Sequence, residues 1–137
     1  MRHFRWTTLI AGLTLATAGC AKGGNPHSTL SGVYTKEQAT RGKTIYGSMC
    51  ISCHAGMGNH TGPLFRNRWG GYGLQELFGY ISDNMPKNDP GSLKPEEYVA
   101  VIAYLLEMNG MPAGNAPLPV DTATLRAIIY DTVTTKQ

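Results

Sequence analysis

Charge is scarce in this chain. Only 15 % of its 137 residues are charged, and the 12 basic side chains exceed the 9 acidic ones by just three. So small a surplus offers little to a phosphate backbone, which argues against nucleic acid as a partner. No apolar run approaches the roughly 20 residues that a membrane-spanning helix needs. Strand-like alternation of any length is absent, and no internal repeat is visible. The length leaves room for one compact domain, or one domain plus a targeting segment, and excludes a large multidomain enzyme. Cysteine is rare too, with three in all, and the positions of those three say most about the chemistry. What the chain does have is 42 % hydrophobic residues with 17 Gly and 8 Pro, the composition of a folded core joined by many turns and not of a disordered chain.

Met1 to Gly19 has the layout of a bacterial export signal. Arg2 and Arg5 form a basic start, Leu9 to Ala16 form a short apolar run, and small residues come next. The tripeptide Thr17-Ala18-Gly19 ahead of Cys20 resembles the lipobox of bacterial lipoproteins, in which the cysteine is acylated and becomes the first mature residue; Thr17 departs from the leucine usual there. Ala16-Thr17-Ala18 also fits ordinary cleavage after Ala18, which would leave a free thiol at the second mature residue. Under either reading the protein leaves the cytoplasm, as a membrane-anchored periplasmic lipoprotein or as a soluble periplasmic protein. With the first 19 residues removed, Arg2 and Arg5 go too, so that 10 basic side chains face 9 acidic ones, a net charge of +1.

Residues 20–32 read as a lipidated N-terminus and flexible tether, because Ala21 to Ser31 is rich in Gly, Asn, Pro and Ser and nearly devoid of apolar residues. A capping box at Thr35 and Gln38 opens a helix through about Cys50, on which Gly42, Tyr46 and Cys50 share one face. Leu74, Leu77, Phe78 and Ile81 have the spacing of an amphipathic helix within 71–84, ended by Pro86. A further helix starts at Pro95-Glu96-Glu97 and stops at Asn109-Gly110, with Val101, Ile102, Leu105 and Met108 on one stripe and Tyr98 and Tyr104 at its edges. After a Pro-rich link, Asp121 caps a last short helix carrying Leu125, Ile128 and Ile129. The expected organisation is a signal over 1–19, the tether over 20–32, a folded domain over 33–114 and a C-terminal extension over 115–137.

Cys50-Ile51-Ser52-Cys53-His54 is C-x-x-C-H, the attachment sequence of c-type haem. Two thiols three residues apart near a helix end can each add to a vinyl group on adjacent edges of a porphyrin, and the next residue is then held beneath the ring with an imidazole nitrogen facing the iron. The competing readings are a thioredoxin-like redox pair, which wants a βαβ context, and half a zinc site, which wants two more ligands. His27 and His60, the other histidines beyond the export segment, lie in polar, Gly-rich surroundings.

Over residues 33 to 112 the chain resembles a class I monohaem cytochrome c. The matching features are Gly42-x-x-x-Tyr46-x-x-x-Cys50-x-x-Cys53-His54, Gly62-Pro63-x-Phe65, Asn84-Met85-Pro86, and Glu96-Glu97-Tyr98 through Tyr104-Leu105. The resemblance implies an all-α fold with crossed N- and C-terminal helices around one covalent haem c, where Gly42 admits the close approach and Tyr46 and Tyr104 pack at the crossing. It also implies that the Pro63 carbonyl accepts a hydrogen bond from His54, fixing the ring and tuning its donor strength. Trp69, Arg66 and Arg68 are candidates for the haem propionates, with an ordinary packing or surface role as the alternative for each; Tyr72 and Tyr80 stay undecided. Pro90-Gly91-Ser92-Leu93 and Asn109 to Gly114 further resemble periplasmic cytochromes that accept electrons from quinoprotein dehydrogenases.

A second axial ligand must reach the opposite face of a planar ring, so Met49, Met57 and His60, tightly joined to His54, are poor candidates. Met108 reads as core and Met111 lies just beyond that helix. Met85 remains, 31 residues after His54 and held extended by Pro86; its alternative is a gap-filling core methionine. Iron with His54 and Met85 as its metal ligands has no open site, which favours electron transfer over catalysis and a comparatively high potential. The expectation is a monomeric electron carrier and not an enzyme, moving one electron at a time between exported redox proteins: from a periplasmic dehydrogenase, with a quinoprotein dehydrogenase as the donor the resemblance implies, or from a membrane complex, to a terminal acceptor such as a terminal oxidase. Docking should be weak and brief, on a small apolar patch at the haem edge. Two alternatives stay open: a haem subunit held within one dehydrogenase, and a ligand-binding or peroxidatic haem protein if Met85 does not ligate.

Overall fold

Gly42 lies where two helices come closest. The computed structural model describes residues 27–56 and 60–132, and in it α1 (Lys36–Met49) crosses α5 (Pro95–Met108) so tightly that a Cβ on Gly42 would collide with the backbone of Ala100. Tyr46 sits one turn on, with its ring edge-on to Tyr104 at 5.5 Å. The crossing expected for Gly42, Tyr46 and Tyr104 is therefore formed. Four shorter helices complete the set: α2 (Ile51–His54), α3 (Gly62–Trp69), α4 (Leu74–Asn84) and α6 (Thr122–Ala127). Among the described residues there are no strands, only two isolated β-bridges, and the all-α expectation holds.

Helix α1 starts at the expected cap: the Thr35 hydroxyl accepts from the Gln38 backbone N–H at 3.2 Å. The reciprocal half of the capping box does not form. Gln38 turns its amide outward and makes two bonds to Leu118, donating to its carbonyl at 2.9 Å and accepting from its N–H at 2.7 Å. The amide thus staples the segment after α5 to α1, which satisfies two backbone groups that a turn back to Thr35 would have left open.

Helix α5 is buried more completely than one stripe would allow, because Tyr98 through Leu106 are buried without a break. It packs against α1 and α4, and Tyr34, Met111 and Leu118 join the same core. Tyr98 and Tyr104, expected at the edges, are both buried, at 3 % and 8 % exposed. At its N-terminus the Glu97 carboxylate accepts from the Lys94 N–H at 2.9 Å.

Three regions depart from the sequence expectation. Helix α4 begins at Leu74 and not Gly71, because 71–74 pairs with the C-terminal segment: Gly71 and Leu74 donate to the carbonyls of Tyr130 and Ile128, and Tyr130 donates to Tyr72. Gly71 adopts φ 82°, and a Cβ on Gly73 would strike the Arg126 carbonyl. The tether assigned to 20–32 is also shorter than expected. Residues 27–32 are docked, with Ser28 and Thr29 buried and a 3-10 turn over Thr29–Ser31. Thr29 donates its N–H to Ile129, and its hydroxyl accepts from the Asp131 N–H at 2.9 Å. A polar segment can be buried when every backbone group finds such a partner. Leu118, Leu125, Ile128 and Tyr130 belong to the core cluster, so residues 115–132 are built into the domain expected to end at 114. The export segment, Cys20, Ala21 to Pro26 and Met57 lie outside the described residues.

Candidate haem site

Cys50 closes α1 and opens α2, and the single turn after it bonds the N–H groups of Cys53 and His54 back to the Cys50 carbonyl at 3.2 and 3.0 Å. That turn brings both sulfurs and the imidazole to one wall of a cavity of about 640 Å³. Cys50 is half-buried, Cys53 is exposed, and neither is in a disulfide. Burial raises the Cys50 thiol above its ordinary pKa, so it stands there as a neutral thiol at pH 7.

Met85 lines the same cavity from the end of α4. Its backbone is extended, φ −135° and ψ 147°, as a residue before proline should be, and the Met85–Pro86 bond is cis. The Met85 carbonyl accepts from the Tyr98 hydroxyl at 3.0 Å, which ties the methionine to buried α5. Of the other methionines, Met111 is buried in the core with its carbonyl bonded to the Tyr34 hydroxyl at 2.7 Å. Met108 packs half-buried against that core. Met49 does line the cavity, from the same turn as Cys50.

The remaining wall is largely apolar: Phe65, Leu77, Ile81, Val101 and Leu105 from three helices, with Leu64 at the mouth. Trp69 lines it too, 8 % exposed. The Arg68 guanidinium lies 5.1 Å from the Trp69 ring and 4.7 Å from that of Tyr80, in cation–π range of both. Arg68 and Lys87 are the charged side chains of the lining; no carboxylate among the described residues faces it. Pro63 and Arg66 do not line it. Pro63 is exposed in the first turn of α3, and Arg66 faces Tyr130, whose deprotonation its charge eases against the larger opposing effect of burial.

Helix α3 is not visible in the sequence pattern, being eight residues between glycines, with Phe65 and Trp69 as its buried pair at helical spacing. His60, Tyr80, Lys87 and Asn88 also face the cavity. The short separation from His54 that makes His60 a poor axial ligand is also the signal that the two rings share one wall. Burial, with the nearby His54 imidazole second, lowers the pKa of His60.

Two free thiols, an imidazole and a thioether around one apolar cavity fit what a haem site asks for. Among the described residues, no cluster of three or more His, Cys, Asp or Glu side chains is placed to hold a metal ion. An all-α fold with crossed terminal helices and this site is that of a c-type cytochrome. Residues 37–105, half of the chain, match the family model described as cytochrome C oxidase, cbb3-type, subunit III, and the chain belongs to that family of c-type cytochromes, whose chemistry is electron transfer through haem. No curated protein and no solved structure matches the chain.

Proposed function

We propose that the protein is an exported, membrane-anchored electron carrier with one haem c, joined through Cys50 and Cys53 and ligated axially by His54 and Met85. When bound, the haem supplies a one-electron ferric/ferrous couple. The chain's own residues do the rest. Cys50 and Cys53 would hold the group to the turn after α1, His54 and Met85 would supply the nitrogen and sulfur for its iron and so leave no place for a substrate, and the apolar wall would exclude water and so raise the potential. Arg68, stacked on Trp69 and Tyr80, supports a role in binding the propionates. The electron passes between exported partners; the sequence resemblance implies a quinoprotein dehydrogenase as donor, and the proposed acceptor is a terminal oxidase.

The observation that carries this reading is the convergence of Cys50, Cys53, His54 and Met85 on one cavity. Haem staining after denaturing electrophoresis tests it: the stain should survive in the parent and vanish in the double variant Cys50→Ala with Cys53→Ala. A stain that persists in the double variant, or is missing from protein matured with the bacterial haem-attachment machinery, contradicts it.

A further inference from the structure

His60 and His54 stand side by side on the cavity wall, with ring centroids 4.2 Å apart and planes tilted by 50°. At that separation the rings are in van der Waals contact, so an immobile His60 restricts how far the His54 ring can turn. His60 is held at both ends. Its Nδ1 lies 2.8 Å from the Tyr46 hydroxyl, in hydrogen-bond contact, and Tyr46 is itself 2 % exposed and locked at the α1–α5 crossing. Its backbone carbonyl accepts from the side-chain amide of Asn109 at 2.8 Å, and the same nitrogen donates to the Leu105 carbonyl at the end of α5. Phe65 of α3 packs edge-on at 6.3 Å. Pro63, the neighbour expected to steady His54, does not line the cavity.

From this geometry we infer that His60 is a positioning residue for His54, setting the plane in which the axial imidazole stands. Helices α1, α3 and α5 all contribute to holding it, more than a surface histidine would need. The inference rests on His54 as the iron ligand. A locked axial ring has a physical consequence, because its plane decides which iron d orbital carries the unpaired electron of the ferric state, and hence how spin is distributed around the haem rim. Orientation within narrow limits is what a supporting shell contributes to a ligand.

The test is proton NMR of the ferric holoprotein, reading the paramagnetic shifts of the four haem methyl groups in the parent, in His60→Ala and in Tyr46→Phe. His60→Ala should change the order or the spread of the four shifts. Tyr46→Phe, which keeps the ring contact and removes its anchor, should move them by a smaller amount. Haem stain and the low-spin spectrum should stay as in the parent, which separates this inference from the ligation of His54 itself. The parent pattern in both variants would overturn it, even with a lowered melting temperature, since that is what a merely structural histidine gives. If His60→Ala yields no holoprotein, Tyr46→Phe decides alone.

Discussion

Because Tyr98 grips the backbone of Met85 and not its sulfur, Met85→Ala removes the thioether while leaving the chain at the end of α4 in place. The ferrous variant should bind carbon monoxide tightly where the parent binds it poorly, and its midpoint potential should fall, because thioether sulfur favours the ferrous state; potentiometry and a carbon monoxide titration check both. A second residue prediction concerns Tyr130, 1 % exposed with no partner for its hydroxyl. Burial pushes its pKa up to about 12 from 10.0. The unfolded chain then releases this proton at lower pH than the folded one, so the phenol's contribution is intact below pH 10 and is lost as pH rises from 10 toward 12. Tyr130→Phe should leave the neutral-pH melting temperature nearly unchanged and flatten the alkaline loss, as thermal melts across that range would show. At this scale the sequence was most legible where chemistry is written in adjacent residues: spacing pointed to Cys50, Cys53 and His54, Pro86 and elimination pointed to Met85, and all four line the one cavity. Tyr80 and Arg68 meet through contact between separate helices, α4 and α3, which spacing does not encode.

Between α1 and α5 there is no room for a methyl group at Gly42. Gly42→Ala must push the Ala100 backbone away, and since backbone cannot yield by changing rotamer, the loss should reach the upper part of the usual overpacking range, about 1 to 3 kcal/mol, measurable by denaturant unfolding of the holoprotein. The segment pairing of 27–32 with 128–131 makes a separate prediction. Thr29→Val takes the acceptor from the half-buried Asp131 N–H, and since an orphaned donor that is fully buried costs about 1 to 3 kcal/mol, the loss here should fall at the low end of that range while haem attachment is kept. Helices α1 and α5 were readable because each carries a start signal and a long apolar period. Helix α3 is too short for a period to stand out from its flanking glycines, and residues 27–32 are polar in sequence yet docked by pairing with residues about a hundred positions away.

On the scale of the whole molecule, the docked 27–32 segment leaves only Ala21 to Pro26 between Cys20 and the folded domain. Six residues reach at most about 20 to 22 Å, so a lipid on Cys20 would keep the haem close to the membrane and give it little swing. Two or more acyl chains hold stably where one does not, and Cys20→Ser should move the haem-stained protein from the membrane fraction to the soluble one; protein already soluble and starting at Gly19 would refute the anchor. Leu64, 73 % exposed, and Tyr80 stand at the cavity with Arg68 and Lys87, an apolar edge flanked by positive charge that suits brief encounters with redox partners. The proposed electron transfer depends on a haem held between His54 and Met85. The ferric absorption spectrum of the purified full-length protein tests that most directly: a low-spin spectrum with the long-wavelength sulfur-to-iron band is the predicted result, and its absence, together with carbon monoxide binding as tight as in Met85→Ala, would contradict the account.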